Sequence, residues 1–95
     1  MYHTDHEVDI VLHDLRSGVL HLYEVKRGNS ADADFARHLS NDDFVEFIKS
    51  EYGAASVRRA VLYRGEDAVN PKYGADIPYY NIENFLIRVE NGEVF

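Results

Sequence analysis

Two stretches near the start of the chain, 7–13 (EVDIVLH) and 19–26 (VLHLYEVK), are rich in β-branched residues and flank a short connection through Arg16, Ser17 and Gly18. This pattern predicts a β-hairpin. A four-residue loop over 15–18, with Gly18 taking positive φ at its end, pairs Asp14 with Val19 and sets the register. Continued outward, the antiparallel pairing puts Asp9 opposite Glu24, Glu7 opposite Lys26, Val11 opposite Leu22 and His13 opposite Leu20, all on one face. Val8 with Val25, Ile10 with Tyr23, and Leu12 with His21 fall on the other. Apolar residues occupy both sides, so the hairpin is expected inside a sheet covered on both faces.

A polar segment over 27–38 follows. Ser40, with Asp43 three residues later, then provides an N-terminal cap for an amphipathic helix carrying Phe44, Phe47, Ile48 and Tyr52 and ending at Gly53. Residues 57–63 (VRRAVLY) read as a third strand, reached through that helix and therefore parallel to the second. The glycines, proline and scattered charges of 64–76 mark a surface loop, and 77–80 a short edge strand carrying Pro78. Asn81 caps a last helix containing Phe85, Leu86 and Val89, and Asn91-Gly92 makes a turn. The expectation is one α/β (α+β) domain over 1–95 in the order ββαββα, without internal repeats or a linker.

Composition supports a globular chain: 95 residues, 45% hydrophobic and 28% charged. A domain of this size buries about 60–70% of the surface its unfolded chain exposes, so the core will be thin. There are no cysteines, which removes disulfides and thiolate metal sites. No apolar run reaches the roughly 18–20 residues that span a membrane, and no signal peptide is visible, so cytoplasmic residence is expected. The net charge of −7 argues against strong autonomous binding of nucleic acid, which needs a basic footprint, unless a metal or a basic partner domain offsets it.

The chemistry concentrates on the first face of the hairpin. Hard cations such as Mg²⁺ or Mn²⁺ take oxygen ligands, often one or two carboxylates with water and substrate phosphate completing the shell, and Asp9 and Glu24 supply such a pair. Lys26, two residues after Glu24, projects from the same side, where an ammonium would orient water or stabilise charge growing on a phosphate. The same residues would also serve as a cross-strand salt-bridge ladder. Two facing carboxylates on strands that are apolar on both sides are costly to bury without a cation, which favours the metal reading.

Asp9, a hairpin and Glu24-Val25-Lys26 resemble the D…(D/E)xK signature of the PD-(D/E)XK nuclease superfamily. The runs EVDIVL, LYEVKRG, FVEFIKSEYG, RRAVLYRGE and IPYYNIENFL, in this order, resemble the nuclease-like C-terminal domain of a large prokaryotic family of AAA+ ATPases, over nearly the whole chain. The resemblance implies a restriction-endonuclease-like mixed sheet, with Asp9 and Glu24 as metal ligands, Lys26 as the catalytic lysine and Glu7 as an accessory carboxylate. The first helix and most of the first strand of that fold would precede Met1. The chain is thus expected to be a fragment of a longer ATPase, attached to the ATPase portion of the same protein and able to form a homo-oligomer through its exposed edge. Nothing resembles a phosphate-binding glycine loop, so any ATPase activity belongs elsewhere.

Of the five histidines, His13 and His21 fall on opposite faces and no spacing matches a zinc motif. His3, His6 and His38 are expected at the surface. Arg27, Arg37, Arg58, Arg59 and Arg64 are candidates for contact with a DNA backbone, Arg27 the strongest because it directly follows the ExK triplet; for Arg58 or Arg59 individually a solvated side chain is the better reading. Tyr63, Tyr79 and Tyr80 lie in expected strands and read as core or rim. Two functions follow: Mg²⁺- or Mn²⁺-dependent hydrolysis of DNA phosphodiesters, or a catalytically silent module that binds DNA or a protein and regulates or oligomerises an attached ATPase.

Overall fold

A computed structural model describes residues 9–28, 31, 36–37, 39–70, 72 and 74–94. Its hairpin forms because the connection is locally determined. Strands β1 (Ile10–Asp14) and β2 (Val19–Val25) pair antiparallel from Asp14↔Val19 to Ile10↔Tyr23, the register the loop length predicts. The Asp14 carboxylate accepts from the amides of Arg16 (3.0 Å) and Ser17 (3.4 Å), and the Gly18 amide donates to the Asp14 carbonyl at 2.8 Å. The bonds from Arg16 and Ser17, that from Arg16 first, hold the Asp14 carboxyl below its usual pKa. Gly18 sits at φ 76°, a left-handed conformation that any Cβ disfavours.

The turn also docks. Gly18 accepts from the Ala55 amide at 2.8 Å, and a Cβ added at Gly18 would lie 3.1 Å from the Ala55 Cβ. Gly18→Ala therefore combines a backbone penalty with crowding, and is expected to destabilise by about 1–2 kcal/mol. Thermal unfolding followed by circular dichroism checks this; an unchanged midpoint would count against the strain.

Helix α1 (Asp42–Tyr52) carries Asp42 and Asp43 in its first turn and Lys49 in its last, charges that complement its dipole. Its cap is Asn41, not Ser40: the Asn41 side chain accepts from the Phe44 amide at 3.1 Å. Ser40 is already inside a preceding turn, its amide bonded to the Ala36 carbonyl and its hydroxyl donating to the Arg37 carbonyl. The helix ends at Gly53, at φ 63°, as the sequence predicts.

Strand β3 (Ser56–Tyr63) runs parallel to β2. The stretch expected to be a surface loop holds a further strand, β4 (Ala68–Asn70), paired antiparallel with β5 (Gly74–Asn81), so the order is ββαβββα rather than ββαββα. The sheet order is β1-β2-β3-β5-β4. Pro78 consequently lies in an interior strand, not at an edge, and the β4–β5 ladder shifts register beside it, between Val69 and Asn70. A missing N–H is tolerated at such an irregularity.

Helix α2 (Ile82–Glu90) is capped by Asn81, which accepts from the Asn84 amide at 3.0 Å. The architecture is a mixed α+β fold: a five-stranded sheet with two helices. Leu20, Leu22, Val61, Tyr63, Ile77 and Tyr79 pack on one face with Phe44 and Val45 of α1. Tyr23, Ala60 and Leu62 pack on the other with Phe85 of α2. β2 is covered on both sides, as expected, but β1 is not: Ile10 and Leu12 remain 36% and 41% exposed. The cluster around α2 is built on β2, β3 and β5 and leaves the α2 side of β1 open.

Candidate functional site

Alternation along β2 puts Glu24 on the α1 face, in line with Leu20 and Leu22. It lies near the carboxyl ends of the parallel strands β2 and β3, where α/β sheets leave a crevice for ligands. Glu24 is only 2% exposed. Its Oε2 is buried and has no hydrogen-bond partner among the described residues, although the Lys26 Nζ lies 3.5 Å from it as an ion pair.

Burial pushes the Glu24 pKa up, opposed by the Lys26 charge and reinforced by the negative charge of Asp9; the Arg37 charge opposes it more weakly. A buried carboxylate oxygen that accepts no hydrogen bond is costly even beside an ammonium, and a cation of the right hardness would relieve that cost.

Asp9, at a bend just before β1, is exposed, and its Oδ2 accepts the Val25 amide at 2.8 Å. That bond ties it to the β2 residue that follows Glu24. Lys26, 35% exposed at its side chain, is anchored through its own amide to the Leu62 carbonyl at 2.9 Å. Lys26 thus lies against Glu24, while Asp9, beyond the end of the β1–β2 ladder, is tied to the next residue of β2 and acts on Glu24 through its charge. Glu7, the accessory carboxylate, lies outside the described residues, as do His3, His6 and His38.

Two carboxylates and no soft donor form an oxygen-only set, which suits Mg²⁺ or Mn²⁺. Among the described residues no group of three or more His, Cys, Asp or Glu side chains is arranged to hold a metal ion, so such a cation would keep much of its shell as water and substrate oxygen. The buried Glu24 Oε2, which accepts no hydrogen bond among the described residues and meets the Lys26 ammonium at 3.5 Å, is the feature that fits one.

The arginines separate. Arg27 and Arg37 are exposed, and Arg37 acts electrostatically on Glu24. Arg59 donates to the Leu39 carbonyl at 2.9 Å and lies 3.6 Å from Asp42, a structural tie between β3 and the start of α1. Arg58 points to the opposite face. Tyr63 and Tyr79 are buried against each other edge to face, 5.5 Å between centroids.

Two features escaped the sequence reading. The Asp9–Val25 bond follows from where a bend turns a carboxylate, which residue types do not announce. The grouping of His21, Tyr23, Arg58 and Tyr80 on the α2 face was available from period-two alternation once the strand pairings are known. No helix among the described residues is long and apolar enough to cross a membrane. No protein-family model, curated protein or solved structure matches the chain.

Proposed function

We propose that the chain is a nuclease-like domain of the PD-(D/E)XK type that hydrolyses DNA phosphodiesters with Mg²⁺ or Mn²⁺, serving as the cytoplasmic C-terminal part of an AAA+ ATPase-type protein. The observation that carries this reading is the buried Glu24 carboxylate, whose Oε2 accepts no hydrogen bond among the described residues and has the Lys26 ammonium 3.5 Å away, with the Asp9 charge acting on it. Asp9 and Glu24 would hold the cation. When bound, Mg²⁺ or Mn²⁺ polarises a phosphate oxygen and lowers the pKa of water.

The rest of the chemistry belongs to side chains of this chain. Lys26, its side chain 35% exposed, can meet the negative charge that builds on the phosphate during attack. Its backbone bond to Leu62 fixes where that charge is met. Arg27 and Arg37, exposed nearby in sequence and in field, bind flanking phosphates and locally offset the net charge of −7.

That acidic balance favours a second reading, a silent module that binds DNA or a protein partner and regulates or oligomerises an ATPase. Incubating the protein with plasmid DNA in Mn²⁺, in Mg²⁺ and in chelator separates the two. Cleavage that requires the metal supports the nuclease; intact DNA with the metals present overturns it.

A further inference from the structure

On the α2 face, away from Glu24, a cleft of about 480 Å³ opens between the sheet and α2. This is within the range of small-molecule sites. Arg58 of β3 and Arg88 of α2 both line it. Arg88 is held by Tyr80, its guanidinium carbon 5.0 Å from the ring centroid, and its Nε is buried without a hydrogen-bond acceptor among the described residues. Neither arginine forms an ion pair with a described residue.

The wall is aromatic. Tyr80 stacks on Phe85 at 6.0 Å, and Phe85 meets Tyr23 edge to face at 5.0 Å. His21 lies stacked against Tyr23 at 6.2 Å. Burial and the Arg58 charge push the His21 pKa below its usual value. Asp76 and Glu93 add two carboxylates to the lining, and Arg59, already tied to Leu39 and Asp42, borders it as well.

This combination is selective. Two guanidinium forks match phosphate oxygens, but two carboxylates in the same cleft would repel a bare phosphate. The occupant must bring hydrogen-bond donors as well as an anion, together with a flat apolar surface for the rings. We propose that the cleft binds a mononucleotide, with its phosphate on Arg58 and Arg88, its base along the Tyr23–Phe85–Tyr80 wall, and sugar hydroxyls or a base amino group on Asp76 and Glu93. This site is independent of the hairpin carboxylates, which lie on the other side of the sheet.

The test is titration calorimetry of the protein with the monophosphates of adenosine, guanosine, cytidine and uridine, alongside the parent nucleosides and inorganic phosphate. At least one monophosphate should bind about tenfold or more tighter than both its nucleoside and inorganic phosphate. Arg58→Ala, a change at an exposed strand position, should weaken it by about tenfold or more, since it removes charge-assisted hydrogen bonds to the phosphate. Arg88→Lys, which keeps the charge and loses the fork, should weaken it too, whereas Glu24→Gln should leave it unchanged. Circular dichroism confirms that the variants are folded. The proposal is overturned if no monophosphate binds at millimolar concentration, if inorganic phosphate binds as tightly as the nucleotides, or if folded Arg58→Ala binds as the parent does.

Discussion

Replacing Lys26 by alanine is expected to lower the rate of Mn²⁺-dependent DNA cleavage by about 10²–10³-fold, the loss typical of removing one group that stabilises transition-state charge. The side chain of Lys26 is 35% exposed, and its one ion pair among the described residues is a 3.5 Å contact with Glu24. Its backbone bond to Leu62 survives the substitution, so the fold should persist while the chemistry fails. Asp9→Ala should lose activity comparably, and also frees the Val25 amide. The two therefore differ in stability, with Lys26→Ala the cleaner probe. Arg27→Ala makes the contrast: as a phosphate contact it should weaken DNA binding and reduce the salt dependence by about one ion, with the single-turnover rate at saturation little changed. Single-turnover rates at saturating DNA decide it. If Lys26→Ala cleaves at the parent rate, the lysine is not where the charge is met, and the nuclease reading loses its main actor.

The hairpin was legible because its determinants are local. Gly18 and Asp14 set the loop, the loop sets the register, and the register puts Glu24 on the face of Leu20 and Leu22, whereas Asp9 reaches β2 only through a bend and the Val25 amide. The start of α1 was misplaced by one residue because Ser40 and Asn41 are both capping types, and only the turn bonded to Ala36 and Arg37 shows that the hydroxyl of Ser40 is already occupied. β4 was hidden for a different reason. Its three residues have no periodicity to detect, and the corner is fixed from afar: the Asn81 amide donates to the Asp67 carboxylate at 2.7 Å, and the Asn81 side chain to the Gly65 carbonyl at 2.9 Å. Alternation likewise assigns Glu24 a face but not a depth. Depth depends on α1 and the segment around Ala36 and Leu39, which pack over that face with Leu20 and Leu22. The burial that turns a strand carboxylate into a candidate ligand is thus a tertiary property.

That burial makes Glu24→Gln the sharpest test of what the carboxylate is for. In the metal-free protein its pKa is raised, so the folded state holds the Glu24 proton more tightly than the unfolded chain does. The associated stability is fully present below the ordinary value of 4.5 and is lost as pH rises through the folded-state value. At neutral pH a charged, half-satisfied carboxylate is therefore a liability. Glu24→Gln should raise metal-free stability by about 1 kcal/mol, with a gain that vanishes on acidification. Manganese reverses the comparison. A cation that binds only the native state at a hundred times its dissociation constant adds about 2.7 kcal/mol, which in a domain of this size raises the unfolding midpoint by roughly 10–20 °C. The parent should show that rise in Mn²⁺ and the glutamine variant should show little of it, because a neutral amide is a poor ligand for a hard cation. Thermal melts of both proteins across pH, with Mn²⁺ and with chelator, read the two effects together. A Mn²⁺-insensitive parent, combined with a glutamine variant less stable at neutral pH, would mean that Glu24 is half of a structural ion pair with Lys26 and that the hairpin holds no metal.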